Sequence, residues 1–413
     1  MYKWRCSESM KPIEDRHPAA EKPGNTFSMS SVGLCVSILA LVLPAGAGIR
    51  ADFEGGSIGR VEQIGPNHYR CAVNGEVDQD KRNRQASWYY FQVDGPAGQE
   101  VTIELTDLLG EYNYRPGNLA INGGTRPFLS YDRRTWTPLP DSAVEWNSAE
   151  TRLRFHFTPE RSRLWIAHLP PYTTSTLLAL LEELKSNRYV KSEEIGKTAG
   201  KRDLILLTIT NPAGSAARKK VIWIMARQHA WEAGTSWVAD GAVRFLAGES
   251  VEAARLRDQF IFKFLPMADP DGVARGGVRF NAYGCDVNRN WDIVDPMRMP
   301  EITQLRKAVL DWVDSGRRID LFLSLHNDNN GSLAGPLSAT GPDHRDTVTR
   351  LAALLNQETI FGPGAARDSG PGDAAPGRSD VCQGLFHDRG IPTALLEMNV
   401  QTRPKQEKEG AHV

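Results

Sequence analysis

The sequence lacks several features that would point to common classes of protein. Its five cysteines are scattered through 413 residues with no CxxC pair, which excludes a disulfide scaffold and a zinc ribbon. Basic and acidic residues are balanced, at 49 and 50, so bulk charge gives no reason to expect nucleic-acid binding. The remaining composition, 40% hydrophobic and 24% charged, is that of a soluble globular protein with about two domains.

The sequence also lacks an apolar run long enough to span a membrane. Its one pronounced run, residues 32–43, has 12 residues and would extend about 18 Å as a helix, against about 30 Å for a bilayer core. An Ala-Gly-Ala cleavage pattern follows at 45–47. We therefore predict a signal peptide over residues 1–47 and a secreted or periplasmic protein without stable membrane insertion after cleavage. A buried core helix is the alternative interpretation of the run.

Residues 48–169 are rich in short segments of β type. Examples lie at 87–93, 101–105, 151–157 and 163–168, and turn residues such as Asp-Gly-Pro and Asn-Gly-Gly separate them. This rhythm predicts an N-terminal antiparallel β-sandwich domain. No cluster of catalytic residue types stands out in this part of the chain.

Residues 170–413 show a different period. Apolar runs of strand length alternate in several places with helical patterns; the runs are 203–209, 219–226, 260–267, 321–325 and 393–398, and the helical patterns are 174–187, 235–246, 301–313 and 346–357. Strands that are apolar on both faces fit a sheet that is covered on both sides. We predict an α/β fold, an α/β/α sandwich with a mostly parallel sheet, for this C-terminal domain.

Three of the apolar runs end close to side chains that bind metals. His229 and Glu232 follow one run, His326 follows another, and Glu397 lies near the end of the last. Because ligands of open α/β sheets bind outside the carboxyl ends of the strands, we expect these residues to share one crevice. Two imidazoles and one carboxylate leave a fourth position open for water, the pattern of catalytic zinc, and a further carboxylate is then needed to accept a proton. Each residue alone also fits a structural role, as a helix terminus or a satisfied core histidine.

Five short motifs occur in order along the second half of the chain. They are Arg-Gln-His-x-x-Glu at 227–232, Asp-Pro-Asp-Gly-Val at 269–273, Gly-x-Asp-x-Asn-Arg-x-Trp at 284–291, Leu-His at 325–326 and Thr-x-x-x-Glu at 393–397. In these motifs the chain resembles the zinc carboxypeptidase family of the carboxypeptidase A type, and more closely its cytosolic-carboxypeptidase-like branch. The preceding β-rich block is similar in kind to the N-terminal domain of that branch.

The resemblance implies a metal centre. His229, Glu232 and His326 would hold Zn²⁺. Asp286 would accept a hydrogen bond from the outer ring nitrogen of His229 and so fix its tautomer.

The resemblance also implies groups that act on a substrate. Asn288 and Arg289 would clamp the terminal carboxylate, for which the guanidinium fork is suited. Arg279 would stabilise the oxyanion that forms as water adds to the scissile carbonyl. Glu397 would act first as general base and then as general acid.

The chain departs from the family pattern near the expected metal. Ala230-Trp231 stands where the family often has Pro-Gly, which brings a bulky indole close to the metal. The family also places a tyrosine on a loop before the catalytic glutamate, whereas no tyrosine follows residue 283 here. Phe386 and His387 are the candidates for that space.

We therefore predict a zinc-dependent metallocarboxypeptidase, a hydrolase that cleaves the C-terminal bond of peptides or proteins with a metal-activated water. Its partner is a peptide or protein C-terminus and not a nucleic acid. The resemblance further implies that a side chain on the loop before the last motif lines the pocket for the departing residue. Arg378 would there favour a terminal Glu and Asp380 a terminal Lys or Arg, unless both are solvated charges. Export would favour extracellular or cell-wall peptides as substrates.

Two alternatives stay open. The first is a zinc-dependent deacylase or amidase acting on N-acyl amino acids or cell-wall peptides, whose free carboxylate Asn288 and Arg289 would bind equally well. The second is a non-catalytic binding protein with a vestigial metal site.

Overall fold

The computed structural model describes residues 48–95, 97–360, 362–370 and 376–401. The signal peptide predicted over residues 1–47 lies outside the described residues. Within the described part of the chain, no helix combines the length and apolar character needed to cross a membrane.

Residues 48–169, the β region, form two facing five-stranded sheets. Their strands are β1 (Gly48–Arg50), β2 (Val61–Gly65), β3 (His68–Ala72), β4 (Tyr90–Asp94), β5 (Val101–Thr106), β8 (Phe128–Ser130), β9 (Thr137–Pro138), β10 (Val144–Asn147), β11 (Arg152–Phe157) and β12 (Arg163–Ala167), while β6 (Gly110–Tyr112) and β7 (Arg115–Asn118) form a separate hairpin. The sheets have the orders β1-β4-β12-β8-β9 and β10-β11-β5-β3-β2. A short 3₁₀ turn at Asp141–Ala143 precedes β10.

Alternation of side chains along these strands builds a shared core. In β11 every second residue is buried, and its Leu153 and Phe155 pack in one cluster with Phe91 and Ile166 of the opposite sheet. Because apolar side chains recur at every second position, one face of each strand is buried between the sheets and the other face is exposed to water. The predicted β-sandwich is confirmed; all its strand pairs are antiparallel except β3 with β5, which is parallel.

The α/β region, from residue 170 onward, is built on one eight-stranded sheet of order β13-β14-β16-β15-β17-β20-β18-β19. Its strands are β13 (Val190–Lys197), β14 (Asp203–Ile209), β15 (Lys220–Met225), β16 (Phe260–Leu265), β17 (Leu321–Asp328), β18 (Ser332–Gly335), β19 (Arg367–Asp368) and β20 (Thr393–Asn399). Its helices are α1 (Thr174–Leu184), α2 (Ala233–Ala247), α3 (Val251–Gln259), α4 (Pro270–Ala274), α5 (Pro300–Asp314), α6 (Pro342–Glu358) and α7 (Val381–Arg389), with a 3₁₀ turn at Ala216–Arg218.

Helices cover both faces of this sheet, so the predicted α/β/α sandwich is confirmed. The four central strands, β16, β15, β17 and β20, are parallel. β13 and β14 pair antiparallel with their neighbours, while β18 is antiparallel to β20 and parallel to β19. Apolar residues of α1, α2 and α6 form a core on one face, and those of α5 and α7 form a core on the other. The sequence patterns do not predict β13, because this edge strand is mostly polar and none of its residues is fully buried.

The central parallel strands determine where the site lies. β15 ends at Met225, immediately before the His229 segment, and β17 and β20 are paired so that His326 lies directly opposite Glu397. The β region packs beside this edge of the sheet. Its Trp88 shares a small apolar cluster with Trp231 and Val278 of the α/β region.

Candidate active site

The segment between β15 and α2 presents two of the predicted metal ligands. Arg227 adopts a left-handed backbone conformation, with φ of 62°, and its buried guanidinium donates to the carbonyl oxygens of Ala230 and Tyr172. These bonds fold the chain back on itself after the strand. As a result His229 and Glu232, both buried, point toward the same space beyond the end of the sheet.

His229, Glu232 and His326 form a compact set of donor atoms. All three are buried, and their ligand atoms lie within 4.8 Å of one another. Glu232 Oε1 lies 2.7 Å from His229 Nδ1, and Glu232 Oε2 lies 3.0 Å from His326 Nδ1. Burial alone would raise the pKa of Glu232, but the two imidazoles hold it down at about 2. The glutamate is therefore an ionised, electron-rich donor.

The outer nitrogens of both histidines face acceptors that set their tautomers. His229 Nε2 lies 3.1 Å from Asp286 Oδ1. His326 Nε2 lies 3.1 Å from Gln228 Oε1, and the Gln228 amide is oriented because its Nε2 donates to Val287 O. A proton on each Nε2 leaves the lone pair of each Nδ1 directed at the Glu232 carboxylate. Two inward lone pairs and one carboxylate fit a zinc ion.

Glu397 lies beside this donor set as a carboxylate with spare capacity. Its Oε2 atom is buried and has no hydrogen-bond partner among the described residues. Burial, together with the nearby carboxylates of Glu232 and Asp328, raises the pKa of Glu397 well above its usual value. The group is thus predisposed to take up a proton.

Arg279 and Asp286 form a charged pair next to His229. Arg279 Nε donates to Asp286 Oδ2 over 2.7 Å, and the same carboxylate accepts from the backbone N–H of Asn288 over 2.9 Å. Burial lowers the pKa of Arg279, but Asp286 raises it by more, so the net shift is upward. Burial likewise opposes ionisation of Asp286, but Arg279 and His229 lower its pKa strongly. Both groups are therefore charged.

The two residues predicted to bind a substrate carboxylate have different surroundings. Arg289 Nη1 donates to the backbone oxygen of Asn288, and Nη2 donates to the hydroxyl of Tyr112 over 2.7 Å. The Asn288 side chain is engaged within the protein, since its Oδ1 accepts from Val381 N over 2.9 Å. Arg289 is therefore the more available of the two.

Most of these groups line one cavity of about 550 Å³. Its lining from the α/β region includes His229, Glu232, Arg279, Asn288, Arg289, Asp380 and Glu397, and its lining from the β region includes Gln85, Ser87, Tyr112 and 118–120. The structure thus brings six of the eight predicted site residues to the cavity wall. Of the other two, His326 is buried in contact with Glu232, and Asp286 is bound to His229 and Arg279.

The candidates from the last loop separate in the structure. Asp380 lines the cavity but also caps α7, where its Oδ1 accepts from Gln383 N over 2.8 Å. Arg378 instead extends toward the β region and donates to Asn113 Oδ1 over 2.6 Å. Phe386 and His387 lie on α7 and are not among the residues that line the cavity.

The sequence alone misses the contribution of the β region to this site. Besides Tyr112, the Glu76 carboxylate accepts the backbone N–H groups of Val278, Arg279 and Phe280. The His168 ring stacks on the Trp231 indole with centroids 5.9 Å apart and an interplanar angle of 8°. These contacts join residues far apart in sequence, so no local sequence pattern predicts them.

Two histidines and a glutamate at the carboxyl ends of parallel strands, beside a free carboxylate, are the donor set of a metallopeptidase. A family model of zinc carboxypeptidases matches residues 176–353, and a model of the cytosolic carboxypeptidase N-terminal domain matches residues 49–169. The chain belongs to the zinc carboxypeptidase family. The first match includes all three donors, and Glu397 follows it in the chain.

Relatives with similar sequences carry related names. Cytosolic carboxypeptidase 3 of Bos taurus is 26% identical over 333 residues, which cover 75% of this chain and 32% of the relative. Cytosolic carboxypeptidase 6 of Mus musculus is 28% identical over 289 residues, 67% of this chain and 52% of the relative. The chain therefore spans about a third to a half of the length of these relatives.

Solved structures share the fold over most of the chain. A metallo-carboxypeptidase from Burkholderia cenocepacia superposes with a TM-score of 0.71 at 26% identity, covering 86% of this chain and 90% of that one. A metallo-carboxypeptidase from Pseudomonas aeruginosa superposes with a TM-score of 0.68 at 24% identity, covering 87% and 92%, and supports the fold alone.

The relatives correct one prediction. A secreted or periplasmic location is wrong, because most of the matched curated relatives are cytosolic carboxypeptidases by name. The prediction relied on the composition of one short apolar run. Apolar composition alone does not distinguish a targeting signal from an apolar segment with another role. With it falls the expectation of extracellular or cell-wall substrates.

Proposed function

We propose that this protein is a zinc-dependent metallocarboxypeptidase that removes residues from the C-terminus of peptides or proteins. The observation that carries the proposal is the convergence, in one cavity, of the three donors with a spare carboxylate and a cationic side chain. The donors are His229, Glu232 and His326, the carboxylate is Glu397, and the cation is Arg289. The names of the relatives make the cytosol the location we propose for this activity.

Zinc bound to the three donors supplies a Lewis acid that polarises a carbonyl and lowers the pKa of water. In the proposed reaction Glu397 accepts a proton at its free Oε2 from the attacking water and later delivers it to the departing amine. The upward shift in the pKa of Glu397 suits this exchange, because a group that first accepts and then delivers a proton works best when its pKa lies near the pH at which the reaction runs. Burial excludes competing proton donors from the same oxygen.

Two arginines divide the negative charge of the substrate between them. Arg289 lines the cavity and would bind the terminal carboxylate, and its Nη1 is held by the backbone oxygen of Asn288. Arg279 would face the oxyanion. Asp286 binds the Nε of Arg279, which leaves the two terminal nitrogens of the guanidinium to donate to the oxyanion. A requirement for a free carboxylate at one fixed position is what distinguishes a carboxypeptidase from an endopeptidase.

The test compares the full-length protein with Glu397→Gln. Zinc content is measured by elemental analysis, and both proteins are incubated with a peptide library and with a set of N-acyl amino acids. We expect one zinc per chain in each protein, stepwise loss of C-terminal residues with the wild type, and a loss of about 10²- to 10⁴-fold in rate with Glu397→Gln. Glu358→Gln, an exposed change at the end of α6, is the matched control and keeps full activity.

Each other outcome selects a different function. Acyl release without peptide cleavage identifies a deacylase. If the wild type and Glu397→Gln both bind zinc but neither acts on either set of substrates, an enzymatic role is contradicted. Equal shortening of peptides whose C-terminus is amidated contradicts the assignment of Arg289 to the carboxylate.

A further inference from the structure

Tyr112 is the one tyrosine that lines the cavity in the described part of the chain, and it comes from the β region. It ends β6, and a two-residue loop connects it to Arg115 of β7. The loop residues Asn113 and Tyr114 both have positive φ, 50° and 62°, as a type I′ hairpin turn requires. A tight turn of this type presents the strand-end side chain in a defined direction.

The hairpin is fixed to the β region by its other face. Glu111 forms an ion pair with Arg82, its backbone oxygen accepts from Gln85 Nε2 over 2.6 Å, and its N–H donates to Arg84 O over 2.7 Å. Because side chains alternate along a strand, anchoring Glu111 on one face turns Tyr112 to the other face. That face is the cavity wall.

Tyr112 contacts both arginines of the site. Its hydroxyl oxygen accepts a hydrogen bond of 2.7 Å from Arg289 Nη2, and the Arg279 guanidinium lies over its ring, 5.4 Å from the centroid. The phenol is 37% exposed and faces the cavity. Among the described residues no acceptor is found for its O–H proton, so this proton is available to a ligand.

We propose, building on the proposed function, that Tyr112 is a substrate-binding residue supplied by the β region, which donates its O–H to the terminal carboxylate of the substrate while it holds Arg289 in place. One carboxylate oxygen would then receive an N–H from Arg289 and the other the O–H of Tyr112. The Tyr112 hydroxyl would then accept a hydrogen bond from Arg289 and donate one to the ligand, which are the two roles that a phenol hydroxyl can fill. The β region is in this way part of the binding site for the C-terminus.

The proposal has a sharp chemical signature. The bonds that Tyr112 makes are formed with the bound substrate and with the transition state alike, so their loss weakens binding without slowing the chemical step. Tyr112→Phe keeps the ring under Arg279 and removes only the hydroxyl. We expect KM to rise about ten- to a hundredfold, as for one hydrogen bond to a charged group, with kcat unchanged within about twofold.

A direct binding measurement makes the test independent of catalysis. The full-length protein is titrated by NMR with N-acetyl-L-alanine and, separately, with N-acetyl-L-alaninamide, which lacks the free carboxylate. We expect Tyr112→Phe to raise the Kd for the acid by the same factor as KM and to leave the weak binding of the amide unchanged. Tyr114→Phe is the matched control, since Tyr114 lies on the same hairpin, is also 37% exposed and does not line the cavity.

The outcomes separate this proposal from the proposed function. If the wild type cleaves peptides and Tyr112→Phe binds the acid as tightly as the wild type, Tyr112 has no role in carboxylate binding, while the proposed peptidase function is retained. If kcat falls while the Kd for the acid is constant, the residue acts on the reaction and the proposal is overturned. If no peptide is cleaved but the acid binds through Tyr112, the binding assignment holds and the peptidase function fails. Absence of acid binding to the wild type overturns the proposal outright.

Discussion

The two regions of the molecule contribute to the same cavity in different ways. The α/β region supplies the proposed metal donors and Glu397, and these lie on its central parallel strands or on the segment that follows one of them. None of the proposed metal donors lies among the described residues of the β region, which contributes Glu76, Tyr112 and His168, each in contact with a residue of the α/β region. One region therefore bears the reactive groups, and the other limits their freedom to move.

The difference teaches how a site can be divided between reactivity and positioning. The side chains of His229, Glu232 and His326 are held by hydrogen bonds to other residues of the α/β region. Arg279 lies on a long irregular segment, and its backbone is held by Glu76 from the other region. Elements with internal hydrogen bonding need little help, whereas irregular segments need partners for their backbone groups.

The largest effect is expected where the α/β region provides a metal donor. His326→Gln removes an inward-facing Nδ1 lone pair, and we expect zinc content to fall to a small fraction of one per chain and kcat/KM to fall by more than about 10³-fold. Zinc is measured after dialysis against a weak chelator. His344→Gln is the control, because His344 is also buried but bonds only to Thr393 O in the described structure. Retention of one zinc by His326→Gln would show that the donor set is misassigned.

A smaller effect is expected from the contact between the regions at His168. Burial lowers the pKa of His168 to about 4, so the folded protein resists protonation of a ring that the unfolded chain protonates near pH 6.5. Stability is therefore complete above pH 6.5 and falls as the pH drops toward 4, by about 2 kcal/mol between pH 7.5 and 5.0. His168→Phe keeps a stacked ring and should lose about 2 kcal/mol less than the wild type over that range.

The free energy of unfolding in urea at the two pH values measures this difference. His156→Phe, on a partly exposed position of β11, serves as the control for loss of a histidine in the same region. Equal pH dependence in the wild type and His168→Phe would contradict the assignment of a buried, neutral ring to this contact.

The smallest effect is expected at Glu76. Glu76→Gln keeps an acceptor but loses the charge that binds three backbone N–H groups and Arg275. We expect kcat/KM to fall about five- to tenfold through displacement of Arg279, with zinc content unchanged. Glu62→Gln, an exposed residue of β2, should have no effect. If Glu76→Gln loses zinc, the β region also positions the metal donors, and the proposed division of roles between the two regions is wrong.

Much of the α/β fold could be read from the sequence because its strands and helices are periodic. The run at 203–209 coincides with β14, and the helical patterns at 235–246, 301–313 and 346–357 lie within α2, α5 and α6. The exposed strand β13 and the helix α3 have weaker apolar patterns and are missed. Burial on both faces leaves a signal in the composition, and a polar edge leaves almost none.

The sequence alone determined the chemical types at the site, because histidine, glutamate and arginine at strand ends restrict the possible chemistry and local spacing places them at one edge of a sheet. It did not determine how they are oriented. The tautomers of His229 and His326, the raised pKa of Glu397 and the contact of Tyr112 with Arg289 depend on atoms far apart in the chain. Hydrogen bonds and desolvation act over a few ångströms in space, so only the tertiary structure decides which groups feel them.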